Sequence, residues 1–204
     1  MQISKLLALS SSLLIIIINL SASGTNVFRF FLKFFLVMVA LFVLELTPPG
    51  QKYVVEPLTS GLAQASAFFI QLFGRELAVQ GIVMVDRLTG FAVQIAAGCN
   101  GIEAMILLVA AIVAFPAPWR YRLVGLVFGL VSVQALNLVR IVSLFYLGIW
   151  HKPSFEWAHL YIWQALIMLD TLLVWMLWIR YIPKTRKPDG DSKPPAGGAS
   201  LAAG

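Results

Sequence analysis

Cysteine occurs once in this chain, at Cys99, and histidine twice, at His151 and His159. One thiol excludes an intrachain disulfide and a Cys-rich metal site, and two imidazoles leave little for a His-based one, so no metal and no cofactor is implied. Charge is scarce too: 12% of the 204 residues are Asp, Glu, Lys or Arg, about half the share of roughly 25% usual in soluble domains. With 60% hydrophobic residues and a mean hydropathy of +0.88, that scarcity excludes an ordinary water-soluble globular protein. A net charge of +6 would raise the question of nucleic acid in a soluble protein. Here the basic residues flank apolar runs, which is the distribution of a membrane anchor, and no nucleic-acid partner is expected. The length suits one membrane domain of several spans of about 20 residues each and leaves no room for a second large domain.

Apolar sequence is what the chain has in abundance. Its strongest runs are residues 34–47, 101–115, 123–149 and 157–181, each bounded by charge or proline. The first stops at Thr47-Pro48-Pro49-Gly50, where prolines cannot continue a helical ladder. The second stops at Pro116 and Pro118, followed by Arg120 and Arg122. Lys and Arg in short loops mark the cytoplasmic side, so the 116–122 loop reads as inside. So does the chain from Arg180 onward, where Arg180, Lys184, Arg186, Lys187 and Lys193 outnumber Asp189 and Asp191. The chain then enters the bilayer from outside near residue 100, turns inside at 116–122, emerges near 150 and returns inside near 181. The 34–47 run starts inside, beside Arg29 and Lys33, and leaves 48–98 outside.

Residues 57–74 are apolar enough to suggest a span, but a crossing there would reverse the sides deduced for Cys99 and Arg120, so an interfacial helix is expected. Residues 77–97 carry Val79, Ile82, Val83, Val85, Val93 and Ile95 with Asp86, Arg87 and Gly90 between them, the pattern of a short β-hairpin on the outer surface. Residues 1–22 imitate a cleaved secretory signal, with one lysine, a short apolar stretch and Ser21-Ala22-Ser23. Cleavage would leave Arg29 and Lys33 outside and break the parity, so the segment is expected to be retained, as an extra span or on the membrane surface. The fold expected is an all-α polytopic membrane protein, a bundle of about four to six transmembrane or interfacial helices with a short extracytoplasmic β-hairpin before the cysteine. Residues 1–25 form its N-terminal apolar segment, 26–182 the membrane domain, and 183–204 a basic cytoplasmic tail, disordered by its Pro, Gly and Ala content.

Depth along the helices brings three side chains to one level. Cys99 lies about 26 Å along the chain from Pro116, Arg140 about 27 Å from Arg122, and His159 about 32 Å from Arg180. With a hydrocarbon core about 30 Å thick, all three reach the outer interface on different spans. A thiol, an imidazole and a guanidinium together suit nucleophilic acyl transfer: the thiolate attacks, histidine takes and returns a proton, and arginine faces an oxyanion or holds a carbonyl. Plainer readings stand beside this one. A lone cysteine is ordinarily a small buried hydrophobe, and an arginine near a helix end can simply snorkel to the interface, although one inside so long an apolar run by default marks a functional or paired site.

Three blocks occur in order: Ala96-Ala97-Gly98-Cys99-Asn100-Gly101, Asn137-Leu138-Val139-Arg140-Ile141, and Phe155-Glu156-Trp157-Ala158-His159. Together they resemble the exosortase/archaeosortase family of membrane cysteine transpeptidases, in its short single-domain form the exosortase H branch, over roughly residues 26–182. The resemblance implies that Cys99 is the nucleophile, His159 the acid/base and Arg140 the group that stabilises the transition state. Asn100 stands where the family pattern usually has Ser, which reads as branch variation. It also implies an enzyme of the bacterial inner (plasma) membrane, with its site on the extracytoplasmic side and its C-terminus cytoplasmic. Its partners would be membrane lipid and exported proteins carrying a C-terminal sorting signal, that is, a motif, a transmembrane helix and a basic cluster. The enzyme would cut near the motif and pass the acyl group to an acceptor that the sequence does not identify.

Asn100, Gly101 and Asn137 are the supporting candidates. Gly98 and Gly101 either permit close approach of a substrate backbone or simply form a turn. Asn137, one turn from Arg140, either orients its guanidinium or makes a helix-to-helix hydrogen bond. Glu103, one turn after Cys99, is expected to pair with Arg140 or to be solvated at the interface, and Asp170 to make a structural contact, with Gln134 as the suggested partner. His151 is the competing imidazole but lacks a helical face towards the bundle, and Trp150, Trp157 and Trp163 read as an outer aromatic belt. The competing functions are a small transporter, with Arg140 and Asp170 lining a polar path, and a non-catalytic assembly subunit. A transporter would spread polar residues through the depth and an assembly subunit would not need Cys99, so the cysteine transpeptidase is preferred.

Overall fold

A computed structural model describes residues 26–182. The expectations for the N-terminal segment and the basic tail lie outside the described residues. Helix α1 (Asn26–Leu46) starts before the apolar run, so that Arg29 and Lys33 sit in its first turns. It stops at Thr47, whose hydroxyl donates to Leu44 O at 2.6 Å and accepts from Gly50 N–H at 3.2 Å. A helical turn at Pro48–Gly50 and a π-helical turn at Gln51–Val55 lead into α2 (Glu56–Leu72).

The strands β1 (Leu77–Gln80), β2 (Val83–Asp86) and β3 (Ala92–Gln94) form an antiparallel sheet in the order β1-β2-β3. The expected hairpin is thus a three-stranded meander. The additional strand is three residues long, too short to stand out as an alternating pattern, and it is held by pairing Val93 with Met84. The β2–β3 turn is tied by Asp86, fully buried, which accepts from Thr89 N–H at 3.1 Å and from Thr89 Oγ1 at 2.5 Å and pairs with Arg75 at 3.3 Å.

Helix α3 (Ile102–Ala114), α4 (Trp119–Trp150), α5 (Lys152–Trp157), a π-helical turn at Ala158–Ile162 and α6 (Trp163–Tyr181) complete the chain. Among the described residues three stretches are long and apolar enough to cross a membrane: Val27–Leu46, Trp119–Trp150 and the continuous helical run Lys152–Tyr181. In the other expected span, at 101–115, the helix is shorter than expected: α3 has 13 residues, about 20 Å of helix against a core of about 30 Å. Gly101 in a left-handed conformation blocks it at one end. At the other end Pro116 forces Phe115 into extended backbone. α3 sits inside the bundle, packed against α1, α4 and α6.

Two apolar clusters hold these elements. One joins α2 (Leu62, Ala63, Ala67, Ile70), the sheet (Leu77, Met84) and α4 (Ile141, Phe145). The expected interfacial segment is therefore a helix with one face buried against protein. The other joins Leu108 and Ile112 of α3, Val133 of α4, and Val174 and Trp178 of α6. Arg29, Lys33, Arg120, Arg122 and Arg180 gather at one end of the bundle: Phe30 meets Phe115 and Trp175, Arg122 donates to Phe115 O at 2.9 Å, and Trp178 donates to Tyr121 O at 2.8 Å.

Close packing of α4 on α6 depends on Gly125, where a Cβ would lie 2.2 Å from the indole nitrogen of Trp178. Gly125→Ala is expected to lower the thermal unfolding midpoint in detergent, at a cost of about 1–3 kcal/mol. Gly61→Ala, on an α2 face where a Cβ meets nothing within 4 Å, is expected to be neutral or stabilising by up to about 1 kcal/mol. Equal midpoints for the two variants would contradict the tight α4–α6 seam.

Candidate active site

Cys99 sits in the loop between β3 and α3, between two glycines with positive φ, Gly98 at 81° and Gly101 at 75°. L side chains rarely adopt that conformation, so these glycines make the turn that reverses the chain out of the sheet and into the helix. The loop is clamped from three sides. Glu103 accepts from Gly98 N–H at 2.8 Å. Asn100, 1% exposed, donates from Nδ2 to Thr59 Oγ1 of α2 at 3.2 Å and accepts from Ile102 N–H at 3.2 Å. Gln134 of α4 donates to Asn100 O at 3.1 Å.

Arg140 comes from the middle of α4 and is 2% exposed. Its guanidinium turns inward, donating to Gly98 O at 3.4 Å and to Cys99 Sγ at 3.6 Å. It does not extend to an interface, so snorkelling does not describe it. His159 lies in the π-helical turn, with Nε2 3.9 Å from Cys99 Sγ. Its ring stacks on Phe155 at 5.8 Å with 3° between the planes, and Nδ1 is buried without a partner among the described residues. An extra residue in a helical turn shifts the side chains that follow it, which is one way a helix re-aims a functional group.

The thiol lies on a cavity of about 550 Å³ whose wall includes β3, Arg140, Leu144, Lys152, Phe155 and His159. Burial pushes the Cys99 thiol above its ordinary pKa; Arg140 pulls it down and Glu103 pushes it up. The resting state therefore favours the neutral thiol, and the guanidinium is the group that resists this. Among the described residues no three His, Cys, Asp or Glu side chains are arranged to hold a metal.

Several expectations are corrected. Glu103 does not pair with Arg140: its carboxylate holds Gly98 N–H, which faces it across the glycine turn. Asn137 neither orients the guanidinium nor bonds across helices. Both its amide atoms are without partners among the described residues, and it packs against Gly101, where a Cβ would sit 3.1 Å from its Nδ2. Gly101 is thus closed to a substrate backbone, while a Cβ on Gly98 would meet nothing within 4 Å. Gln134 spends its amide on Asn100 O and Met105 Sδ, so it is not the partner of Asp170. His151 caps α5, accepting from Ser154 N–H at 3.3 Å. Thr59, Gln134 as a clamp, and Phe155 beneath the imidazole escaped sequence reasoning. The available signal was a hydroxyl and an amide inside otherwise apolar helices.

The chain matches the family model described as "Transmembrane exosortase (Exosortase_EpsH)" over residues 1–179. It belongs to the transmembrane exosortase family and is a membrane protein. No curated protein and no solved structure matches it.

The electrostatics of the thiol yield a test. Cysteine alkylates as the thiolate, so the rate of modification by iodoacetamide should rise with pH around a midpoint above that of a free thiol. Arg140→Gln should move that midpoint further up. Glu103→Gln keeps an oxygen for Gly98 N–H and removes the negative charge, so it should move the midpoint down. Midpoints that do not respond to either substitution would show that the two charges do not reach the sulfur.

Proposed function

We propose that this transmembrane exosortase is a cysteine peptidase and transpeptidase that cuts exported proteins at a C-terminal sorting signal and transfers them to an acceptor. The observation that carries the proposal is the meeting of Cys99 Sγ with Arg140 Nη2 at 3.6 Å and His159 Nε2 at 3.9 Å on one cavity wall. In the first step the thiol proton passes to His159 while sulfur attacks the scissile carbonyl carbon. The carbonyl oxygen becomes an oxyanion, which Arg140 is close enough to face. Collapse breaks the C–N bond, His159 returns the proton to the leaving amine, and a thioester remains on Cys99. An acceptor nucleophile then attacks the thioester, gives its proton to His159, and releases the product with the thiol restored.

The positive-inside rule assigns the end carrying Arg29, Lys33, Arg120, Arg122 and Arg180 to the cytoplasm and the Cys99 end to the outer face. A substrate helix lying beside the bundle then presents its outer, motif-bearing end at the level of the cysteine. Its basic cluster stays inside. The family membership supports the substrate class: exported proteins bearing a motif, a helix and a basic cluster.

Cys99→Ala and Cys99→Ser should insert normally and lose processing by about 10³-fold or more, with unprocessed sorting-signal protein accumulating in cells. Arg140→Lys keeps the charge but loses the planar fork, and turnover should fall by about 10²-fold. Normal processing by a Cys99 variant would remove the peptidase assignment.

The orientation has its own test. A membrane-impermeant maleimide added to intact spheroplasts should modify Cys99, the single thiol of the chain, while a cytoplasmic thiol reporter stays unlabelled. Labelling that requires permeabilised membranes would reverse the topology.

A further inference from the structure

Among the described residues strand β3 pairs with β2 alone, so one side of it is an open sheet edge. Two hydrogen bonds fix which of its backbone groups are free. Asp86 N–H donates to Phe91 O at 2.9 Å, and Ile95 N–H donates to Ile82 O at 3.0 Å. In an antiparallel pair, facing residues alternate between bonded and non-bonded. Phe91, Val93 and Ile95 therefore turn their peptide groups towards β2, and Ala92 and Gln94 turn theirs away. The other ladder agrees, since Arg87 N–H donates to Glu76 O at 3.0 Å, giving the alternate residues of β2 to β1.

Every residue from Gly90 to Ala96 lines the cavity that also holds Cys99, Arg140 and His159. Ala92 and Gln94 are exposed. An N–H and a C=O on each of them thus face outward along the same segment that walls the candidate active site. Unpaired peptide groups along a strand edge are a template for an added strand. The cavity is also lined by Ile141, Leu144 and Phe155, apolar side chains that suit those an added strand would turn into the cavity.

We infer that the substrate's motif segment binds as an extended strand added to the free edge of β3, its main chain bonded to Ala92 and Gln94. This rests on the peptidase proposal for the identity of the occupant. Cys99 follows Gln94 by five residues, so a segment held on this edge is led along the cavity towards the thiol. Recognition is then carried largely by main chain. The cavity walls choose among side chains, and a proline at an edge-facing position of the substrate is excluded because it lacks the donor.

The test uses full-length protein in lipid nanodiscs. The probe is a synthetic peptide covering the motif segment of an exported protein from the same genome that carries a motif, helix and basic tail. Gln94→Pro and Ala92→Pro each remove one outward N–H and leave the β2–β3 ladder its donors. Either should raise KM for the peptide roughly tenfold or more, with a smaller effect on kcat and Cys99 alkylation by iodoacetamide unchanged. Val79→Pro, at an outward-facing position of β1 on the opposite edge, should leave KM alone. An unchanged KM in both β3 variants overturns strand addition while cleavage stands.

Binding of the peptide to Cys99→Ala, read by fluorescence anisotropy, separates docking from chemistry. Binding that Gln94→Pro weakens supports the docking even if the wild type never cleaves. Should the proline variants fail to fold, as judged by a lost cooperative thermal unfolding transition, the peptide is varied instead. Replacing its amides by esters one at a time should weaken binding to the wild type at alternate positions, and a flat scan overturns the proposal.

Discussion

A permanently charged guanidinium inside an apolar bundle is the constraint around which the rest of this structure is arranged. Arg140 cannot discharge by losing its proton, and at 2% exposure it has almost no water. Burying such a charge costs several kcal/mol unless electron-rich groups surround it. The groups present are the carbonyl of Gly98 and the sulfur of Cys99. Among the described residues no carboxylate pairs with it; Glu103 is engaged with Gly98 N–H. The charge is left under-compensated in its resting state and is better satisfied when sulfur, or an oxygen beside it, becomes negative. That is the property required of a group that favours a transition state over a ground state.

Holding sulfur against that charge is the task of the loop, and it accounts for residues that carry no chemistry themselves. Two left-handed glycines turn the chain, and Asn100 fastens it to α2 through Thr59 and to α4 through Gln134. Shortening α3 to 13 residues lets the loop descend into the bundle, to a level where mid-helix Arg140 can reach it. A full-length span would have carried Cys99 out towards the interface. The sheet follows from the same need, because it delivers β3 along the cavity and ends the strand a few residues before the cysteine.

Much of this was legible in the sequence, and the illegible part has a common cause. The long helices announce themselves by uninterrupted apolar length, which depends on composition alone. Cys99, Arg140 and His159 could be brought together because helical rise converts sequence distance into depth, and Pro116, Arg122 and Arg180 supplied fixed reference points. Depth says nothing about azimuth. Whether Arg140 turned inward or outward, and whether Glu103 faced it or the glycine turn, depends on rotation about helix axes that apolar runs on all sides leave undetermined. Asn137 and Gln134 were recognisable as polar anomalies, but Gln134 bonds to Asn100 and Met105 and Asn137 packs on Gly101, all in another segment. The three residues of β3 gain their structure only from β2.

His159 has no carboxylate behind it, and its Nδ1 is without a partner among the described residues. Its ring is positioned instead by the face of Phe155 and by the π-helical turn. That arrangement fixes the plane of the imidazole. Burial favours the neutral thiol over a preformed thiolate. A resting thiolate is exposed to oxidation, since the thiolate is the form that oxidants attack. A neutral thiol is protected. The proton then moves when a substrate fills the cavity, excludes water and offers Arg140 an oxygen on which negative charge can settle. Under the proposed function, the guanidinium and the substrate carbonyl together turn on a nucleophile that the empty site keeps quiet.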